Sequence, residues 1–136
     1  MNAFTEDEIE YLRSGFLGRL ATVGHDGTPH IAPVGFSYNA DLGTIDVGGR
    51  DMANTKKYRD VARTGRAAIV VDDVRPPWRP RGIEVRGRAK ALGEPRPLIR
   101  IHPERVISWG IDTNSPHRKG RSVGQTSQSE PEGAHR

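Results

Sequence analysis

The sequence predicts a mainly β fold with short helices: six to seven antiparallel strands closing into a small barrel whose ends the helices plug. Three observations carry this. Short apolar or alternating runs recur along most of the 136 residues, punctuated by Gly, Pro, Asn and Asp turn signals. Only two stretches, one near the N-terminus and one in the middle, switch to a helical period. A sheet of that many strands must also close or fold over, because open edges and an uncovered apolar face are not stable in water.

The first helix begins at "FTEDEIEYLRSG", where Thr5 and Glu8 have capping-box spacing and Phe4 with Ile9 has the spacing of a hydrophobic staple. Ile9 and Leu12 share a face, and Gly15 stops the run. Two strands follow around Asp26-Gly27, a strong hairpin signal, and a third at "GTIDVGG" completes a meander. The second helix reads from "MANTKKYRDVARTG", with Asn54 or Thr55 as its cap, Tyr58, Val61 and Ala62 as its inner face and Gly65 as its left-handed terminator. "AAIVV" is apolar without alternation and reads as a strand covered on both faces. "GIEVRGRAKAL" alternates, with Ile83, Val85, Gly87 and Ala89 inward and Glu84, Arg86, Arg88 and Lys90 outward. Two apolar stretches, "LIRI" and "RVISWGI", flank His102-Pro103 and end the barrel at residue 112. Residues 113–136 are rich in Ser, Gly, Pro, Gln and charge, a composition that does not offset its ordering entropy. They read as a polar, disordered tail whose start, "SPHRKGRSV", lies along the barrel.

One domain of this size buries a modest core, which makes a dimer the default expectation. The chain has no cysteine, so disulfides, thiolate metal sites and cysteine nucleophiles are excluded, which suits a reducing cytosol. No apolar run approaches a membrane span and the N-terminus lacks a signal-peptide core, so the expectation is a cytoplasmic protein without membrane contact. Of the net charge of +4, the tail contributes +2 through Arg118, Lys119, Arg121 and Arg136 against Glu130 and Glu132. The remaining excess is too small for a nucleic-acid-binding stripe. Neither a P-loop nor a dinucleotide fingerprint occurs, and the five histidines have no metal-ligand spacing.

Lys56 and Lys57 fall in the first turn of the second helix, where the dipole favours an anion over a cation. With Arg50 just upstream, they read either as solvated charges or as a phosphate site completed by exposed helix N–H groups. Gly48 and Gly49 would let backbone approach such a ligand closely. His30 reads first as an outward polar residue, with a site role as the alternative. Asp72 and Asp73 read as the start of a loop. That loop, "VRPPWRPR", holds Trp78 between prolines that restrict it before binding, with Arg79 and Arg81 beside it to stack on or pair with an anionic ligand. A cap on the barrel mouth or a dimer contact is the alternative role for Trp78.

The runs "FLGRLATVGHDGTPHIAPVGFSY", "NTKKYRDVAR", "VVDDVRPPWRPRGIEVRGRAKAL" and "IRIHPERVISWGID", in that order, resemble the pyridoxamine 5′-phosphate oxidase-like split-barrel superfamily. Over residues 5–112 they are most similar to its actinobacterial F420-dependent oxidoreductase branch. The resemblance implies an FMN-binding type of split barrel, a homodimer with flavin or deazaflavin sites in the dimer groove, and a cofactor phosphate held by Arg50, Lys56 and Lys57. It places the cofactor ring along Pro33, Val34, Gly48 and Gly49, and carries Trp78, with Arg79 and Arg81, across to the partner's site. It further implies a reductase that passes a hydride from coenzyme F420 to a conjugated small-molecule acceptor. FMN in the same fold, or a non-catalytic flavin- or haem-binding module, stand as alternatives. No catalytic side chain is assigned. The chain lacks the C-terminal arginine-rich segment of the pyridoxamine phosphate oxidases, so pyridoxamine oxidation is not implied.

Overall fold

The computed structural model describes residues 2–15, 17–112 and 118–124. Helix α1 (Glu6–Ser14) is followed by β1 (Leu17–Val23), β2 (Pro29–Gly35), β3 (Ser37–Asn39) and β4 (Thr44–Val47). A 3₁₀ turn (Met52–Asn54) leads into α2 (Lys56–Thr64), then β5 (Arg66–Arg75), β6 (Arg79–Leu92), β7 (Leu98–Trp109) and β8 (Lys119–Ser122). The local signals act where expected. Thr5 and Glu8 form a complete capping box, Thr55 accepts from the N–H of Tyr58, and Gly65 ends α2 at φ 71°, a conformation that costs a residue without Cβ little.

The eight described strands form one antiparallel sheet in the order β2-β1-β5-β6-β7-β4-β3, with β8 also on β7. The first and last strands of that path, β2 and β3, are separated in the chain by Phe36 alone. The sheet therefore curls back on itself into a half-barrel. Its inner face carries the core, including Leu20, Ile45, Val47, Ile69, Ile83, Val85, Ile99, Ile101 and Val106, each at most 1 % exposed.

The helices serve opposite ends. At one end, α1 reaches Asp73 through the Tyr11 hydroxyl (2.7 Å) and Ser108 through Glu8 (2.8 Å). At the other, the Tyr58 hydroxyl of α2 donates to Leu92 O (2.9 Å), and the N–H of Ala89 donates to Gly65 O (2.8 Å).

Several local expectations change. "LIRI" and "RVISWGI" belong to one strand, β7, which passes through Pro103 because Glu104 bulges out of register between the pairs Gly87↔Pro103 and Arg86↔Arg105, the setting in which a strand tolerates proline. Gly87 permits the close approach, since a Cβ there would run into the His102 carbonyl. Asp72 and Asp73 lie within β5, whose pairing with β6 continues to Arg75↔Arg79, so the loop shrinks to a three-residue turn at 76–78. Within β5 only Ala67, Ile69 and Val71 are buried, while Ala68 and Val70 are half-exposed on the outer face. In α2, Ala62 is exposed and Asp60 is buried in its place. Finally, β8 lies beyond residue 112, in the segment expected to run along the barrel. The remainder of the polar tail, 125–136, is outside the described residues.

Candidate functional site

A groove of about 470 Å³ opens where the edge strand β2 meets the N-terminus of α2. Leu20 and Thr22 of β1, Pro29, His30, Ile31 and Ala32 of β2, and Lys56 and Lys57 of α2 line it. One wall is thus apolar and the other cationic. The cationic wall runs against helix preference. The first turn of α1 holds Glu6, Asp7 and Glu8, but that of α2 holds no acid and two lysines. Thr55 takes the N–H of Tyr58, which leaves the first-turn N–H groups of Lys56 and Lys57 without an intrahelical acceptor. Two ammonium groups and two free N–H donors at the positive end of a dipole suit an anion such as a phosphate.

Behind this wall is a buried carboxylate. Asp60, at 2 % exposure, accepts from the Thr22 hydroxyl (2.9 Å), lies 2.8 Å from Nδ1 of His30 and pairs with Arg63 at 3.6 Å. Burial alone would raise its pKa. The bonds from His30 and Thr22, with the charges of His30 and Lys56, outweigh burial and hold the carboxyl below its ordinary range. Arg63 is itself fixed by a bond to Val23 O. Sequence reasoning missed Asp60 because an acid within "KKYRDVAR" reads as one more charge on a solvated face. Its only signal is its place three and four residues beyond Lys57 and Lys56, on their side of the helix.

The residues expected at the site divide. Lys56 and Lys57 line the groove together, Lys57 half-buried and Lys56 exposed. Gly48, Gly49 and Arg50 form the loop between β4 and the 3₁₀ turn, outside the groove lining, with Arg50 exposed. Pro33 is exposed on β2, whereas the Val34 side chain is 6 % exposed and packs in the core, so only its backbone is available at the strand edge. Trp78, at 75 % exposure, stands at the tip of the β5–β6 hairpin beside Arg79, away from the groove of its own chain. Arg81 has intrachain partners: Nε and Nη2 reach Asp73 at 2.8 and 3.2 Å, and the guanidinium lies 5.0 Å from the centre of the Tyr11 ring. Burial first, and then its bond to Asp73, push the Tyr11 hydroxyl well above the ordinary tyrosine range, so it stays protonated.

The pyridoxamine 5′-phosphate oxidase family model matches residues 5–122, and the chain belongs to that family. It is 48 % identical over 120 residues to the 5a,11a-dehydrotetracycline/5a,11a-dehydrooxytetracycline reductase of Streptomyces rimosus, covering 80 % of this chain and 84 % of that protein. Among solved structures it is similar in fold to the conserved hypothetical protein Rv2991 of Mycobacterium tuberculosis, with TM-score 0.69, 23 % identity and coverage of 90 % and 94 % of the two chains. It is also similar to an F420 reductase, with TM-score 0.56, 22 % identity and coverage of 71 % and 93 %.

Proposed function

We propose that this protein is a reductase of the pyridoxamine 5′-phosphate oxidase-like family that uses coenzyme F420 to saturate a conjugated carbon–carbon double bond in a flat, fused-ring acceptor of the dehydrotetracycline type. The observation that carries the reading is the groove in which Lys56 and Lys57 crown an unneutralised helix N-terminus above an apolar wall. A phosphate-bearing deazaflavin or flavin fits this donor set. The ammonium and N–H groups suit its phosphate, and Leu20, Ile31 and Ala32 suit the apolar part. The choice of F420 over FMN is supported by the likeness to an F420 reductase, and the acceptor class by the 48 % identity to a dehydrotetracycline reductase.

When bound, the reduced deazaflavin supplies a hydride to the electron-poor end of the double bond, and a proton completes the saturation. The chain supplies orientation. Lys56 and Lys57 fix the anionic end of the cofactor, the apolar wall excludes water beside it, and Ile31 at the strand edge borders the opening. The site is completed by a second copy of the chain. Leu17, Ala21 and Val23 of β1, Ile31 of β2, and Val70 and Val74 of β5 share the outer sheet face, with Leu17 at 50 % and Ile31 at 72 % exposure. A homodimer across this face covers it, and the partner's Trp78 hairpin then reaches the groove to stack on a flat ring.

The test is titration of the purified chain with F420 and with FMN, followed by oxidation of reduced F420 in the presence of 5a,11a-dehydrotetracycline. Tight F420 binding and acceptor-dependent loss of reduced cofactor are expected. Preference for FMN sinks the cofactor assignment. F420 binding without turnover sinks the acceptor class.

A further inference from the structure

We propose that His30, anchored through Nδ1 to the buried Asp60, is a third cation of the Lys56–Lys57 anion site and binds the ligand's phosphate through Nε2 with uptake of a proton. The inference rests on the reading of the groove as a phosphate site.

The geometry defines the ring. An ionised carboxylate 2.8 Å from Nδ1 is an acceptor, so Nδ1 carries a hydrogen. Nε2 is then the titrating nitrogen, and it has no hydrogen-bond partner among the described residues. The ring is also held in place. It packs on Gly24, where any side chain would collide with it, while Thr22 and Arg63 fix Asp60 from two other directions. A ring so anchored, and still lining the groove, serves a ligand better than solvent.

The charges around His30 explain why protonation accompanies binding. Asp60 of α2 and Asp26 in the β1–β2 turn favour the imidazolium. Lys56, Lys57 and Arg63, all on α2, oppose it. An anion in the groove offsets these three positive charges and accepts a hydrogen bond from protonated Nε2, whereas the lone pair of a neutral ring would repel its oxygens. Each event favours the other by the same factor.

Calorimetric titration of the full chain with F420 and with FMN, in buffers of different ionisation enthalpy near pH 7, counts the protons taken up. His30→Gln keeps a donor for Asp60 and removes the titrating nitrogen. Titration of the ligand itself is common to both proteins and cancels in their difference. The parent should take up more protons per ligand than H30Q, and its affinity advantage should grow as pH falls from 8 to 6. Resonances of the His30 ring in the unsubstituted protein supply a reading that needs no variant: its titration midpoint should rise on ligand binding. Equal proton uptake by both proteins, or an unmoved midpoint, overturns the proposal. If Lys57→Ala still weakens binding in that case, the phosphate-site reading survives without His30. If the Lys56→Ala/Lys57→Ala double variant binds both cofactors like the parent, the phosphate-site reading itself falls.

Discussion

Lys57 is half-buried where Lys56 is exposed, because successive helical side chains diverge by about 100° and only one of two neighbours can lean toward the barrel. The buried face of α2 includes Asp60 and Val61, three and four residues beyond Lys57, and this places Lys57 on the barrel side. Loss of one charge-assisted phosphate contact weakens binding by roughly ten- to a hundredfold. Lys57→Ala should therefore lower F420 affinity by at least about tenfold with no fall in melting temperature, and Lys56→Ala should have a smaller effect. Fluorescence titration of both variants checks the order. A larger loss for Lys56→Ala would reverse the assignment. The lysines were legible in the sequence as cations in a helix first turn. Their order was legible too, since Lys57 lies nearer Val61 on the helical wheel than Lys56 does; what the pattern did not show is the burial of Asp60, which turns the inner face by about one residue from Tyr58, Val61 and Ala62.

At the scale of elements, β8 is tied to α1 by one set of side-chain bonds, besides its ladder with β7. The Arg121 guanidinium donates to both carboxylate oxygens of Glu8 and to Ala3 O, joining the eighth strand to the first helix. Burial pushes the Glu8 pKa up, but Arg121, the N–H of Thr5 and the Ser108 hydroxyl outweigh burial and hold it below the usual carboxylate range. A carboxyl lowered in the folded state contributes stability that is present above its unfolded pKa, near 4.5, and lost as pH falls through the lower folded value. Removing the guanidinium leaves a buried carboxylate short of donors. Arg121→Ala should destabilise the fold by about 2–3 kcal/mol at neutral pH, a value reduced from the fully buried case because Arg121 is partly exposed. This difference should shrink as pH falls below 4.5 and through the lower value at which Glu8 protonates in the fold. A chain ending at Gly120 should lose at least as much, because Ser122 and Val123 go with Arg121. Thermal melts from pH 7 down through the acid range test all three, and a loss from Arg121→Ala that does not shrink anywhere in that range would assign it to packing. Thr5→Ala, which removes half of the capping box, should cost about 1 kcal/mol in the same assay.

For the whole molecule, the outer face of β1, β2 and β5 sets the expected assembly. Leu17, Val23, Ile31 and Val74 are each at least 45 % exposed, and with Ala21 and Val70 they surround the Arg19–Asp72 pair at 3.4 Å. Such a patch is costly to leave in water. Light scattering should give a mass near twice 15.0 kDa at micromolar concentration. Leu17→Glu, outside the groove lining, should shift it toward the single-chain mass by placing a charge on the face that a second copy would cover. A parent protein that runs as a stable monomer would remove the dimer and, with it, the path by which Trp78 reaches a partner's groove.

The sequence by itself determined the features encoded between near neighbours. The capping box of Thr5 and Glu8, the Gly65 terminator, the hairpin at Asp26-Gly27 and the inward alternation of Ile83, Val85, Gly87 and Ala89 all depend on residues a few positions apart. The motif order extended this to the family, which the match over residues 5–122 established. The tertiary structure alone decided where polar groups ended up. Asp60 is buried because Thr22 and His30, 38 and 30 residues away, arrive with hydrogen-bond donors. Arg81 reaches Asp73 because β5 and β6 pair to their tips, and β8 has its place because Arg121 meets Glu8 from 113 residues away. A charged side chain is stable in the interior only where distant partners satisfy it, and local pattern carries no record of those partners.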